Sequence, residues 1–457
     1  MKLAMPPAVR GLPVLGSLLD YRRDHVKVFW QAYQQHGPIF SIRLGPQRAV
    51  VLIGPEHHRF FFTEVDRILS MQEMYKFVIP MFGEVLNAAE TEVRKKQLAI
   101  LQSAFQGKRM QRYIEIMVEE TTDWLDSLGD EGSFELWTAF EGLGMRIAAN
   151  ALMGWELRQR IDEFVPLYRD LANGMEFVLP PNLPLPRFRR RDRARLKLTE
   201  MIQPMIAERQ ANPGKHNDFL QTLAEATYLD QSPMPSDAIV GLTLLTVFTG
   251  YISTAAQNCW TLIQLLQHQD YLAGVLEEQE AVLDRSTANL NTETLGRLER
   301  LDRALKETER MYPVMSHYAR YNSQSYVLEG YHIPKGWLTM VCPTVAHRLP
   351  EVFSQPDTYD PERFSPERAE DRKHAYSLIG FGGGFYRCPG SRFGINEIKT
   401  MLSLLLQRYT LELVDPHPKP DYEIGMIRPK PPYLIRYRRR RSALVQGATL
   451  RPSYVSA

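Results

Sequence analysis

A mainly α-helical fold carrying small β-sheets is what this sequence predicts, and three observations predict it. From about Gly54 to Arg310, apolar residues recur at intervals of three and four, the period of amphipathic helices. Alternating, β-rich runs gather near the two ends of the chain. No internal repeat and no flexible linker interrupts the 457 residues. The roughly three domains suggested by length alone therefore give way to a single domain over 1–457.

Taken in order, residues 1–20 form a Pro-rich opening segment, and Val26 to His36 reads as a helix. Two short strands follow, PIFSIRLG and AVVLIG, separated by the turn pair Gly45-Pro46. The long helical stretch is broken by a loop at Pro180, Pro181, Pro184 and Pro186, and the basic run Arg187 to Arg195 opens the next helix. YVLEGYHIPKGWLTMV has the alternation of a small sheet. The last long helix, Gly394 to Tyr409, leads into the strand-like TLELV and YLIRYRRRR, and 442–457 reads as a flexible tail.

Composition narrows the classes. With 44% apolar residues the chain can bury a large core, and a formal net charge of +2 carries no nucleic-acid or anionic-membrane signature. The run Arg436 to Arg441 directly follows a strand, where a solvated basic edge is the usual outcome. Three cysteines, Cys259, Cys342 and Cys388, are too few and too scattered for a disulfide framework or a structural zinc site. The N-terminal MKLAMPPAVRGLPVLGSLLDYRRD is broken by prolines and charges, and a membrane span needs about 20 apolar residues. The expectation is a cytoplasmic monomer with no membrane span and no nucleic-acid partner.

The segment FGGGFYRCPGSRFG places Phe381, Gly384, Cys388 and Gly390 in an F-x-x-G-x-x-x-C-x-G pattern. These types suit a thiolate ligand to a haem iron. Glycine lets the backbone fold tightly so that N–H groups reach the sulfur. A helix starting just after Cys388 favours the anion, and Phe381 would shield it from water. A buried free cysteine beside a Gly-rich turn is the plain alternative. The pattern arises by chance in roughly one such chain in a thousand on average composition, which weighs against that alternative. Upstream, Glu307 and Arg310 form an E-x-x-R one helical turn apart, and PERF supplies Arg363. Alone, the first pair would read as a solvated surface pair.

These three motifs, in this order, make the chain resemble cytochrome P450 enzymes over essentially its whole length. The resemblance implies a prism-like fold with haem b (iron protoporphyrin IX) between a long central helix and the cysteine loop, and a Glu307, Arg310 and Arg363 network behind it. YKFVIPMFGE from Tyr75, RKKQLAILQSAF from Arg94, FRRRDRAR from Phe188 and WTLIQLLQH from Trp260 are similar to the sterol 14α-demethylase branch, particularly its soluble bacterial members. That similarity implies propionate partners Tyr75, Lys96 and Arg320, with Tyr386 where relatives carry Arg or His. A phenol there still donates one hydrogen bond. It also implies a substrate pocket of Phe77, Val78, Phe82, Tyr251, Met426 and Ile427. Without it, those residues would read as core, and Lys96 as an exposed helix lysine.

The central-helix segment LLTVFTGYISTAAQNCW departs from the family. Where relatives kink and carry an acid or His before a Thr, this chain reads Thr249, Gly250, Tyr251, Ile252 and Ser253, with Thr254 one residue on. Ile252 cannot carry a proton, whereas the acid–alcohol pair normally serves as the proton supply. Gly250, Ile252, Ser253 and Thr254 are thus the candidate catalytic positions. The leading expectation is an oxygen-dependent monooxygenase acting on a hydrophobic small molecule, sterol- or terpenoid-like or a natural-product intermediate. A ferredoxin and its reductase would supply electrons, docking near Arg94, Lys95, Lys108, Arg109 and Arg392. Two alternatives stand beside it. One is oxygen-independent chemistry at the same iron: nitrene or oxygen-atom transfer from an activated substrate, isomerisation or dehydration. The other is a non-catalytic haem- or ligand-binding protein.

Overall fold

In the computed structural model, residues 3–176, 179–181, 183–228, 231–283, 290–422 and 426–440 are described. The tail at 442–457 lies outside them. Helices dominate, as the apolar period requires. The first runs Leu18–His36, eight residues longer at its start than predicted, with a non-helical Asp24 (φ −161°, ψ 83°) inside it. Strands Ile39–Leu44 and Gln47–Leu52 pair antiparallel from Ile39↔Leu52 to Leu44↔Gln47 around Gly45. They form one edge of a five-stranded sheet. Leu338–Val341 joins in parallel at Ala49↔Leu338, then Tyr318–Asn322 antiparallel, then the two residues Leu69–Ser70.

A second sheet joins the C-terminal strands Tyr409–Leu413 and Leu434–Arg439 to Glu131–Glu135, with Ile435 opposite both Phe134 and Leu413. The strand Glu131–Glu135 falls inside the stretch read as helical. Its EGSFE buries only one side chain, Phe134, too little to register as alternation. On this sheet the basic run is met by acids: Arg436 by Glu412 at 3.0 Å, Arg438 by Glu131 at 3.7 Å and Arg439 by Asp130 at 2.7 Å.

The core gathers around the central helix, Ser236–Gln267, most of whose side chains are buried. By length and hydropathy this helix could cross a membrane, but it is packed against the helices Leu136–Ala148, Glu299–Met311 and Ser391–Arg408. Its helical course runs unbroken from Ser236 to Gln267. Thr243, Thr246, Thr249, Ser253, Thr254 and Thr261 each donate their hydroxyl to the carbonyl four residues back, at 2.5–3.0 Å. Two smaller clusters of buried side chains pack on the five-stranded sheet, around Phe40 and Val51 and around Phe61 and Ile379.

Candidate functional site

The cysteine loop is shaped by its own backbone. Cys388 N–H donates to Phe381 O at 2.8 Å, closing the loop, and Ser391 N–H donates to Cys388 O at 3.3 Å as the last long helix, Ser391–Arg408, begins. Gly384 takes φ +58°, and a Cβ there would meet the Tyr376 hydroxyl at 3.0 Å, so glycine is required. A Cβ on Gly390 would lie 3.9 Å from the Cys388 sulfur. Cys388 is an exposed residue. Burial pushes the thiol up, while the Gly390 N–H and Arg387 pull it down. The other two cysteines are buried, and among the described residues no cluster of three metal-ligating side chains exists.

Behind the loop lies the predicted acid–arginine network, and it is fully buried. Arg310 grips Glu307 through two bonds of 2.7 and 2.9 Å, and Arg363 Nε reaches both Glu307 oxygens at 3.1 and 3.0 Å. Glu370 completes it, accepting from Arg363 at 2.9 Å. The arginines also donate to carbonyls of His347, Pro356, Thr358 and Ser354. Every remaining donor is thus directed, which is what makes a buried charge network tolerable. Tyr318 donates to Gly380 O at 2.6 Å, and Ile379 N–H donates to His347 Nε2 at 3.0 Å, joining loop to network.

Arg320, on the strand Tyr318–Asn322, is 2% exposed. Its guanidinium lies 4.9 Å from the Phe61 ring and 5.8 Å from the Tyr75 ring, and donates once, to Ala319 O. Its Nε has no hydrogen-bond partner, and it makes no ion pair among the described residues. A buried guanidinium without a carboxylate demands an anion. The Tyr318 phenol feels both Tyr75 and Cys388, so these groups share one neighbourhood. The residues present therefore fit a haem: an exposed cysteine that could ligate iron, and a buried cation with no carboxylate among the described residues.

Two sequence assignments change here. Tyr386 donates its proton to Asp66 Oδ2 at 2.6 Å, and Asp66 is also held by Arg94. An anchored carboxylate outcompetes any more distant acceptor for a single phenolic proton. Arg94 itself is 1% exposed and so is no part of a docking face. Lys95, Lys108 and Arg392 remain exposed, and Arg109 is half-buried. Lys96 is half-buried, with its ammonium 5.2 Å from the Tyr228 ring.

On the central helix, Thr246, Thr249, Gly250 and Ser253 form an accessible face on a mostly buried element. Ile252 is half-buried beside it, and Thr254 turns into the core. Val78 and Phe82 are buried in the cluster that also holds Ile427, with Phe77 and Ile252 packed on it. The Phe82 ring is 5.7 Å from Phe248 of the central helix. Met426 is half-buried, and Ile427 is fixed by backbone bonds to Val314 and the Trp260 indole. Tyr251 goes into the core against Tyr168 at 6.1 Å. A separate cavity of about 530 Å³, lined by Phe105, Arg392, Asn396 and Lys399 among others, contains neither Cys388 nor Ser253 and is not this site.

Sequence reasoning missed two acids. Glu309 is buried against Gly380, where burial lifts its carboxyl to about 7 against the pull of Arg387 and loop N–H groups. Glu397 stands in the apolar run INEIKTMLSLLL, and a lone acid in such a run was the available signal.

A family-wide sequence pattern for cytochrome P450 matches residues 6–437. A sterol 14-demethylase of Arabidopsis thaliana is 33% identical, covering 96% of this chain and 92% of its own. A sterol 14alpha-demethylase of Mycolicibacterium vanbaalenii is 30% identical, covering 93% and 96%. Among solved structures, the retinoic acid bound cyanobacterial CYP120A1 superposes with a TM-score of 0.87 at 26% identity, covering 96% of this chain and 100% of that one.

Proposed function

The chain belongs to the cytochrome P450 family, and on that premise we propose that it is a haem-thiolate monooxygenase of a hydrophobic small molecule. A sterol- or terpenoid-like compound, or an intermediate of a natural product, fits best. One observation carries the reading: an exposed Cys388 in a loop braced by a buried charge network, with the buried Arg320, which has no ion pair among the described residues, on the strand behind it. The similarity to sterol 14-demethylases supports the substrate class.

Haem b, when bound, supplies the metal at which dioxygen is activated. Cys388 would be its ligand, and Arg320 and Tyr75, with Lys96 from the helix Thr91–Ala104, would hold its carboxylates. Phe77, Val78, Phe82, Met426 and Ile427 make an apolar wall that orients a greasy substrate and excludes water. Ser253 offers a hydroxyl oxygen on the accessible face, its own proton being donated to Thr249 O at 2.5 Å. Electrons come from a ferredoxin and its reductase, steered by Lys95, Lys108, Arg109 and Arg392. Incubation with a panel of sterols and terpenoids tests this. Product that forms only with ferredoxin, reductase and oxygen together is expected.

A second reading is favoured by Ile252 alone. With no acid at that position, the same iron would act on an activated substrate without oxygen. Product formed anaerobically and without reductant would favour it and contradict the first.

A further inference from the structure

The cavity of about 530 Å³ that stands apart from Cys388 is walled mainly by the helices Gly107–Ser127, Thr292–Arg297, Glu299–Met311 and Ser391–Arg408. Small-molecule sites hold about 300–1,000 Å³, so the space admits a ligand. Part of the lining is apolar, from Phe105, Met110, Leu295 and Ile395. The rest carries more positive charge than its acids answer. Lys399 is 4% exposed; its ammonium donates to Leu295 O at 3.0 Å and pairs with Asp302 Oδ1 at 3.1 Å. Its third N–H has no acceptor among the described residues. Asp302 Oδ2 is 3.7 Å from Lys306, so one carboxylate serves two ammonium groups. Arg303 Nε is buried without a hydrogen-bond partner, and Arg392 stands exposed on the same lining. The other acid of the lining, Glu299, is exposed to solvent. The helix Gly107–Ser127 also begins here, with no side-chain cap and no acid in its first turn. Its positive end adds to the excess.

We propose that this cavity is a second binding site, for an amphipathic carboxylate of the fatty-acid class. The head accepts the free N–H of Lys399 and answers the charge of Lys306 and Arg392, while the chain lies on the apolar part of the lining. A neutral ligand would leave the basic excess unanswered, and a cation would be repelled by it. The site bears on the iron through its position. Arg392 is in the first turn of the helix that follows Cys388, and Lys108 and Arg109 are in the first turn of the helix Gly107–Ser127. These residues belong to the face proposed for ferredoxin docking, so an occupant hinders electron delivery. That consequence rests on the monooxygenase reading; the binding itself does not.

Equilibrium dialysis of the haem-loaded protein against dodecanoate tests the site. Gly296 is on the lining, and a Cβ there would meet nothing within 4 Å, so Gly296→Trp fills space without displacing a neighbour. The wild type should hold one equivalent more than this variant. A fatty acid bound above the haem would be kept by both proteins, so the difference reports the cavity alone. Lys399→Met should weaken that equivalent by about tenfold or more, and the cation dodecyltrimethylammonium should show no difference between wild type and Gly296→Trp. Equal uptake of dodecanoate by wild type and Gly296→Trp overturns the proposal, and so does undiminished binding by Lys399→Met. Reduction by a ferredoxin should slow several-fold when dodecanoate is added to the wild type, but not to Gly296→Trp. A wild-type rate that dodecanoate leaves unchanged overturns the hold on electron delivery. A wild type that no ferredoxin reduces counts against the monooxygenase reading, while dialysis still decides the site.

Discussion

Two side chains decide what the site can do, and each makes a separate prediction. Arg320 is buried without an acid, so Arg320→Leu should leave a stable fold that takes haem poorly. A charge-assisted bond contributes about 1.5–3 kcal/mol, so titration of the apoprotein should show affinity lower by about ten- to a hundredfold. Ile252 removes the usual acid from the central helix. Ile252→Glu in the wild-type background should raise the yield of product per oxygen consumed, and no rise would favour the oxygen-independent reading. Glu397 adds a pH signature. Its folded carboxyl is raised from 4.5 to about 8, so the native state keeps a proton that the unfolded chain loses. Stability should therefore fall as pH rises through that interval. Glu397→Gln should unfold at a higher temperature than the wild type at alkaline pH, and the gap should close below about 4.5.

At the scale of elements, the buried network ties the helix Glu299–Met311 to the segment through Glu370. Removing Glu307 leaves the buried Arg310 without a carboxylate and Arg363 with Glu370 alone, so Glu307→Ala should cost about 3–5 kcal/mol in denaturant unfolding. Glu370 sets an acid limit. Burial raises its carboxyl, but bonds from Ser354, Arg368 and Arg363 win and lower it to about 2. Its contribution is full above the unfolded value and is lost as pH falls toward 2. Acid unfolding of Glu370→Gln should be correspondingly less pH-dependent.

How well the sequence read these elements follows from how far each signal reaches. The Glu307 and Arg310 pair was legible from its local spacing, whereas Arg363, 56 residues on, was assigned to the network only through the family resemblance. The central helix was legible from its apolar length, but not the way six of its hydroxyls turn back onto their own helix. The strand Glu131–Glu135 was not legible, because its partner strand Leu434–Arg439 lies about 300 residues further along the chain. Tyr386 misled for a similar reason: Asp66, its acceptor, is 320 residues away.

For the whole molecule, the central claim is that Cys388 ligates the iron of a bound haem and that everything else serves it. Charge at the exposed face is the outer layer. Lys108→Glu with Arg392→Glu should slow reduction by ferredoxin several-fold at low salt, with the difference vanishing at high salt. The cysteine loop is the inner one, and the ferrous–CO absorption spectrum reports on it most directly. The purified protein, reduced under carbon monoxide, should give the absorption band of a thiolate-ligated haem. Cys388→Ala should abolish that band while haem held through Arg320 and Tyr75 remains detectable. A wild-type protein that binds haem without that band, or a Cys388→Ala variant that keeps it, would contradict the assignment.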